Sequence, residues 1–231
     1  MNCWGVIPAA GAGRRMGSAV PKQYLPLGGN TVLQHSVDCL FSDARIGAVV
    51  VALGAGDAHW STLQAPAGRR LLRAPGGVER CDSVRNALHV VAEHGDAGDW
   101  VLVHDAARPC LRPEDLQHLL DALWDDPVGG LLAVPARDTM KRADAHDRVS
   151  ETVERNCLWH ALTPQMFRLG ALADALTAAR EGGLAVTDEA SALELAGASP
   201  RLVEGHGDNI KITRPEDLAL AEFFLRIQER L

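Results

Sequence analysis

The chain has 231 residues, 47% of them hydrophobic, and a formal net charge of -7 from 23 basic and 30 acidic side chains. A chain of this size buries one full core, so a single domain over residues 1–231 is expected. Acids and bases alternate along the whole length, which excludes the basic stripe that a nucleic-acid partner requires. A phosphate-binding enzyme can still be acidic overall, because a few Lys and Arg focused in one cleft set the local field.

The N-terminal residues lead into a Gly/Arg-rich loop without a charged start or a long apolar run, unlike a secretory leader. No apolar stretch approaches the ~18 residues of a membrane helix, so a cytoplasmic protein with no membrane contact is expected. Five scattered cysteines (Cys3, Cys39, Cys81, Cys110, Cys157) form no C-x-x-C pair and read as small buried hydrophobes.

In chain order, Val/Ile/Leu-rich runs at residues 4–8, 46–53, 100–104 and 130–135 predict strands, and helix-period segments at 32–40, 83–92, 114–123 and 169–179 predict helices. Apolar strands alternating with helices indicate an α/β domain, Rossmann-like, with a mostly parallel sheet covered on both faces. Ligands of such sheets sit beyond the carboxyl ends of the strands. Residues 136–156 break the rhythm: the segment carries ten charged side chains from Arg137 to Arg155 and no good core face. Its flanks at 139–142 and 149–153 can pair as a projecting β-arm about residues 144–147, or remain a surface loop. Thr213-Arg214-Pro215-Glu216 has the form of a capping box and opens an amphipathic terminal helix through Leu218, Leu220, Phe223, Phe224 and Ile227.

The first strand runs into Pro8-Ala9-Ala10-Gly11-Ala12-Gly13-Arg14-Arg15-Met16-Gly17. Small residues let backbone N–H groups approach phosphates closely, and Arg15 adds a forked donor. The G-x-G-x-x-x-G spacing fits neither the P-loop nor the dinucleotide fingerprint, which argues against a nicotinamide-dependent oxidoreductase. Its two adjacent arginines suit a free triphosphate. After Pro21, Lys22 is a plausible second cation for the same phosphates. Asp105 ends an apolar strand at the ligand-binding edge. The nine histidines show no H-E-x-x-H or similar spacing, so no zinc site and no catalytic histidine is expected.

Further blocks sharpen the reading: Pro21-Lys22-Gln23-Tyr24, Gly76-Gly77 with Glu79-Arg80 and Asp82-Ser83-Val84, and His104-Asp105-Ala106-Ala107-Arg108-Pro109. They continue with Arg137-Asp138-Thr139, Arg155-Asn156, residues 158–165, Thr187-Asp188-Glu189-Ala190-Ser191 and Asn209-Ile210-Lys211. In order and over nearly the whole chain, these resemble the 2-C-methyl-D-erythritol 4-phosphate cytidylyltransferases of the non-mevalonate isoprenoid pathway.

The resemblance implies transfer of CMP from CTP to 2-C-methyl-D-erythritol 4-phosphate with release of pyrophosphate. It implies CTP binding by Ala9, Ala10, Gly11, Ala12, Gly13, Arg15, Lys22, Gly76, Gly77, Arg80, Ser83, Asp105 and Ala106. The Gly76 to Ser83 turn would hold the cytosine, and Val78, being apolar, could contribute there only through its backbone. It implies Asp105 as a ligand of Mg2+ or another divalent ion, and acceptor binding by Arg108, Thr139, Arg155, Thr163 and Lys211. The catalytic cations would be Arg15, Lys22, Arg155 and Lys211, with Arg155 reaching over from a second copy in a homodimer joined through the arm. An anionic acceptor phosphate needs no general base, so a single displacement follows. The alternatives are a cytidylyltransferase for another polyol phosphate such as ribitol 5-phosphate and, more distantly, a non-catalytic nucleotide-binding module.

Overall fold

The computed structural model describes residues 2–11 and 20–231. Eleven strands and six α-helices are described in the order β1 (Cys3–Pro8), β2 (Pro26–Leu27), β3 (Asn30–Thr31), α1 (Val32–Phe41), β4 (Ile46–Leu53), β5 (Arg70–Pro75), α2 (Arg80–Ala92), β6 (Trp100–Val103), α3 (Pro113–Leu123), β7 (Gly129–Pro135), β8 (Met140–Ala143), β9 (Val149–Val153), β10 (Trp159–Arg168), α4 (Leu169–Glu181), α5 (Glu189–Leu195), β11 (Arg201–Glu204) and α6 (Glu216–Ile227).

Seven strands form one sheet in the order β11-β7-β10-β6-β1-β4-β5. Neighbours pair in parallel except at β10, which runs antiparallel to both β6 and β7. The expected mostly parallel α/β sheet is therefore present. β1 is central and almost wholly buried, as are β4 and β6, which is why these strands read as continuous apolar runs. Ile7, Val49, Val51 and Leu53 face α1 and α3 in one core, whereas Val6, Val50 and Ala52 face α2, α4 and α5 in the other. Each fully buried aliphatic side chain contributes about 1.5–3 kcal/mol, so both faces must be covered.

The chain goes from β1 to β4 and β5 on one side, then returns to place β6 on the other. That reversal opens a crevice beyond the carboxyl ends of β1 and β6. The segment after β1 and the residues from His104 onward both emerge there.

Three strands of the seven-stranded sheet escape the apolar-run criterion. β5 carries Arg70 and Arg73 and lies at the sheet edge, β11 is four residues long, and β10 contains Pro164. In β10 the register against β7 shifts between Ala161 and Gln165, so Pro164 falls in an irregularity where no ladder donor is needed. At α6 the predicted box uses a different acid: Asp217 Oδ2, rather than Glu216, accepts from the backbone N–H groups of Thr213 at 2.7 Å and Arg214 at 2.9 Å.

Residues 136–156 contain the predicted hairpin. β8 and β9 pair with each other, Met140 opposite Val153 and Arg142 opposite Glu151, and join no other sheet among the described residues. Asp144 Oδ1 closes the turn by accepting from His146 N and Arg148 N. Most of its side chains are exposed, and its Arg142–Glu151 ion pair is open to solvent.

Candidate active site

A cleft of about 420 Å³ lies at the crevice, with Ala9, Ala10 and Gly11 from the end of β1, the turn from Gly77 to Arg80, and Asp105 to Ala107 after β6 around it. Lys22, Gln23, Ser83 and Lys211 complete its polar rim. Ala9, Ala10, Gly11, Lys22, Gly77, Arg80, Ser83, Asp105 and Ala106 are the expected CTP-binding residues that the fold brings together here, and Lys211, expected at the acceptor, joins them. Ala12, Gly13 and Arg15 lie outside the described residues.

The Gly76–Gly77 turn is shaped by close approach. A Cβ on Gly76 would overlap that of Ala10 and lie 3.0 Å from the Leu53 carbonyl oxygen, and one on Gly77 would overlap the Asp82 side chain. Gly76 lines the far side of this turn rather than the cleft, beside Leu53 and Gly54. Ser83 is buried, and its hydroxyl accepts from Gly77 N at 3.0 Å while donating to Glu79 O at 3.2 Å. Ser83 thus holds the turn in shape. Glu79 and Asp82 form the reciprocal cap that starts α2.

Asp105 is the electrostatic centre. One carboxylate oxygen meets Arg80 Nε at 3.1 Å, the other meets Lys211 Nζ at 2.8 Å and Arg108 Nε at 3.5 Å. Burial pushes its pKa up, but Arg80, Lys211 and Arg108 outweigh that and hold it below the usual carboxylate range. Arg80 has a second carboxylate, Glu189, which accepts from Nη1 at 2.6 Å and Nη2 at 3.0 Å. Burial lowers the Arg80 pKa, yet these two acids reverse the effect and raise it.

Beneath Asp105, Thr163 Oγ1 accepts from Asp105 N at 3.1 Å and lies 2.9 Å from His104 Nδ1. His104 Nε2 lies 2.9 Å from the Arg108 carbonyl oxygen, which can only accept, so Nε2 carries the proton. Burial depresses the His104 pKa to about 4, and the neutral ring's Nδ1 then accepts from the Thr163 hydroxyl. His104 is a packed, hydrogen-bonded residue.

Of the expected acceptor residues, Lys211 alone reaches the cleft wall among the described residues. Arg108 is packed behind it, with Nη1 donating to Asn209 O at 2.6 Å, and Thr163 supports Asp105 from below. Thr139 and Arg155 are exposed on the arm and do not line the cleft of this chain, and Arg155 is bonded to the Arg137 carbonyl. Lys22 Nζ donates to Ile212 O at 2.9 Å, and Ile212 N donates to Ala107 O.

Three residues stand in the sequence blocks without an expected role. Gln23 is buried and donates to Ala9 O at 2.8 Å, Asn209 donates to Thr163 O at 2.8 Å, and Glu189 is 1% exposed against Arg80. Each partner is distant in sequence or bonded through its main chain, so no local pattern points to it.

A model of the 2-C-methyl-D-erythritol 4-phosphate cytidylyltransferase family matches residues 3–227. The chain belongs to this family. Among similar cytidylyltransferases, that of Pseudomonas putida (strain W619) is 58% identical over 216 residues, covering 93% of this chain and 92% of that protein. That of Pseudomonas entomophila (strain L48) is 58% identical over the same shares. The solved structure of the Francisella tularensis cytidylyltransferase is 36% identical with a TM-score of 0.83, covering 97% of this chain and all, 100%, of that one. The Thermus thermophilus cytidylyltransferase is 30% identical with a TM-score of 0.78, covering 98% of this chain and 100% of that one.

Proposed function

We propose that this chain transfers CMP from CTP to 2-C-methyl-D-erythritol 4-phosphate, giving 4-diphosphocytidyl-2-C-methyl-D-erythritol and pyrophosphate, a step of the non-mevalonate isoprenoid pathway. The observation that carries the proposal is the cleft at the strand reversal, where the β1 loop, the Gly76–Ser83 turn and the Asp105–Lys211 pair meet. An oxygen of the acceptor phosphate attacks the α-phosphorus of CTP, and the bond from that phosphorus to the bridging oxygen of pyrophosphate breaks. The attacking oxygen is already anionic at neutral pH, so no base need take a proton. Catalysis is then alignment and charge neutralisation.

In this reading Ala9, Ala10, Gly11 and Lys22 receive the phosphates together with Ala12, Gly13 and Arg15. Gly76, Gly77, Arg80, Ser83 and Ala106 shape the nucleotide pocket, and Lys211, held against Asp105, meets the acceptor phosphate. Arg108 and Thr163 act from behind, through Asn209 and Asp105. Asp105 supplies one ionised carboxylate at the cleft, and Mg2+ is typically held by one or two carboxylates with phosphate oxygens and waters. The donor set therefore fits Mg2+. When bound, the ion would offset charge on the triphosphate.

Two features support a homodimer joined through the arm. Among the described residues β8 and β9 pair only with each other, and Arg155 is exposed and does not line this chain's cleft. A symmetric exchange would bury the arm and carry Arg155 to a neighbour's site. No helix among the described residues is long and apolar enough to cross a membrane.

Purified protein with Mg2+, CTP and methylerythritol phosphate should release pyrophosphate, and Lys22→Ala should abolish release without unfolding the chain. Full activity of Lys22→Ala would remove that lysine from the mechanism. Faster turnover with ribitol 5-phosphate at equal CTP would reassign the acceptor.

A further inference from the structure

Glu189 is 1% exposed but neither lines the cleft nor caps its own helix, which Asp188 and Ser191 cap. Both its carboxylate oxygens accept from the two terminal nitrogens of Arg80. A two-point pair of this kind sets the plane of the guanidinium as well as its position. The third nitrogen of that guanidinium, Nε, faces Asp105 at 3.1 Å, and the far oxygen of Asp105 meets Lys211 at 2.8 Å. The start of α5 is itself anchored to β10, because Gln165 donates to Asp188 at 2.9 Å and accepts from Ala190 N at 2.8 Å. A continuous path of polar contacts runs from the sheet, through Glu189 and Arg80, to the carboxylate that holds Lys211.

Glu189 also decides how Asp105 is shared. Three cations, Arg80, Arg108 and Lys211, lie against Asp105. Arg80 deprived of Glu189 would turn its terminal nitrogens to the carboxylate that remains, since a guanidinium favours two-point contact. Asp105 would be drawn away from Lys211. Lys211 is 41% exposed at its side chain and would lose the contact that fixes its ammonium.

We propose that Glu189 is a positioning residue for CMP transfer, holding Arg80 so that Asp105 keeps Lys211 aligned at the acceptor side of the cleft. The proposal rests on the cleft being the cytidylyltransferase site.

The test compares wild type, Glu189→Gln and Glu189→Asp by pyrophosphate release under varied CTP and varied acceptor, each with a thermal melt. Glu189→Gln preserves shape and one accepting oxygen, whereas Glu189→Asp retains the charge but is too short for the two-point contact, so at least the latter should fold. Misplacement by about 1 Å costs on the order of 100-fold in rate. Both variants should therefore lose roughly 10- to 100-fold in kcat, with a raised KM for the acceptor and little change in KM for CTP. A lowered melting temperature with wild-type kcat and KM values per folded molecule would show a structural role only and overturn the proposal. An inactive wild type would overturn the cytidylyltransferase reading itself, and the proposal with it.

Discussion

Replacing Gly76 by alanine tests whether the two loops flanking the nucleotide pocket must touch. Gly76 N donates to Leu53 O at 2.7 Å, which ties the turn after β5 to the end of β4. An added Cβ would stand 3.0 Å from that oxygen and 3.1 Å from its carbon, and would overlap the Ala10 Cβ outright. Carbon atoms settle at about 3.5–4.0 Å, so Ala10 and the turn must separate by more than ~1 Å. Both obstacles on the β4 side are backbone and cannot rotate away. Overpacking of this kind costs about 1–3 kcal/mol, and a displacement of about 1 Å in a reactive cleft costs roughly 100-fold in rate. Gly54→Ala is the matched control, because its Cβ would meet Ala10 O at an ordinary 3.6 Å. Urea melts and pyrophosphate release at saturating acceptor should show Gly76→Ala destabilised and about 100-fold slower, with a raised KM for CTP, and Gly54→Ala near wild type in both. Gly76→Ala equal to Gly54→Ala in both assays would refute the close-approach argument.

Two further outcomes follow from the geometry. The folded-state pKa of His104 is depressed by burial from 6.5 to about 4, so the unfolded chain binds the proton more readily. Its contribution is fully present above about pH 6.5 and lost as pH falls toward about 4, by roughly 3 kcal/mol in all. Urea-derived stability across that window should show the decline, and NMR of the His104 ring should show it neutral at about pH 6; titration near pH 6.5, the ordinary histidine value, would contradict the buried Thr163–His104–Arg108 arrangement. If the arm completes a neighbour's site, mixing Arg155→Ala with Lys211→Ala, each inactive alone, should restore roughly a quarter of wild-type activity, because half the statistical dimers carry one intact site. No recovery after confirmed subunit exchange would confine Arg155 to its own chain or to the surface.

The parallel sheet was legible because β1, β4 and β6 are buried on both faces and must be apolar throughout. The polar segment, with no periodic core face, left a hairpin and a surface loop open, and the fold pairs β8 with β9 there. The cleft residues from Ala9 to Lys211 were recognisable as family blocks, and that family is the one to which the chain belongs. What local pattern could not supply was β10, whose antiparallel course accommodates Pro164 only through a register shift against β7. Nor could it show that Thr163, Arg108 and Ser83 act mainly on other protein groups, or that Glu189 and Asn209 have partners 109 and 46 residues away. Residue types and their spacing after β1 and at the strand-end acid pointed to a phosphate-binding edge, and the resemblance to the family supplied the chemistry. The orientation of each charge was decided by the sheet order, because a buried carboxylate takes its direction from whichever cations the fold brings against it, and these come from distant parts of the chain.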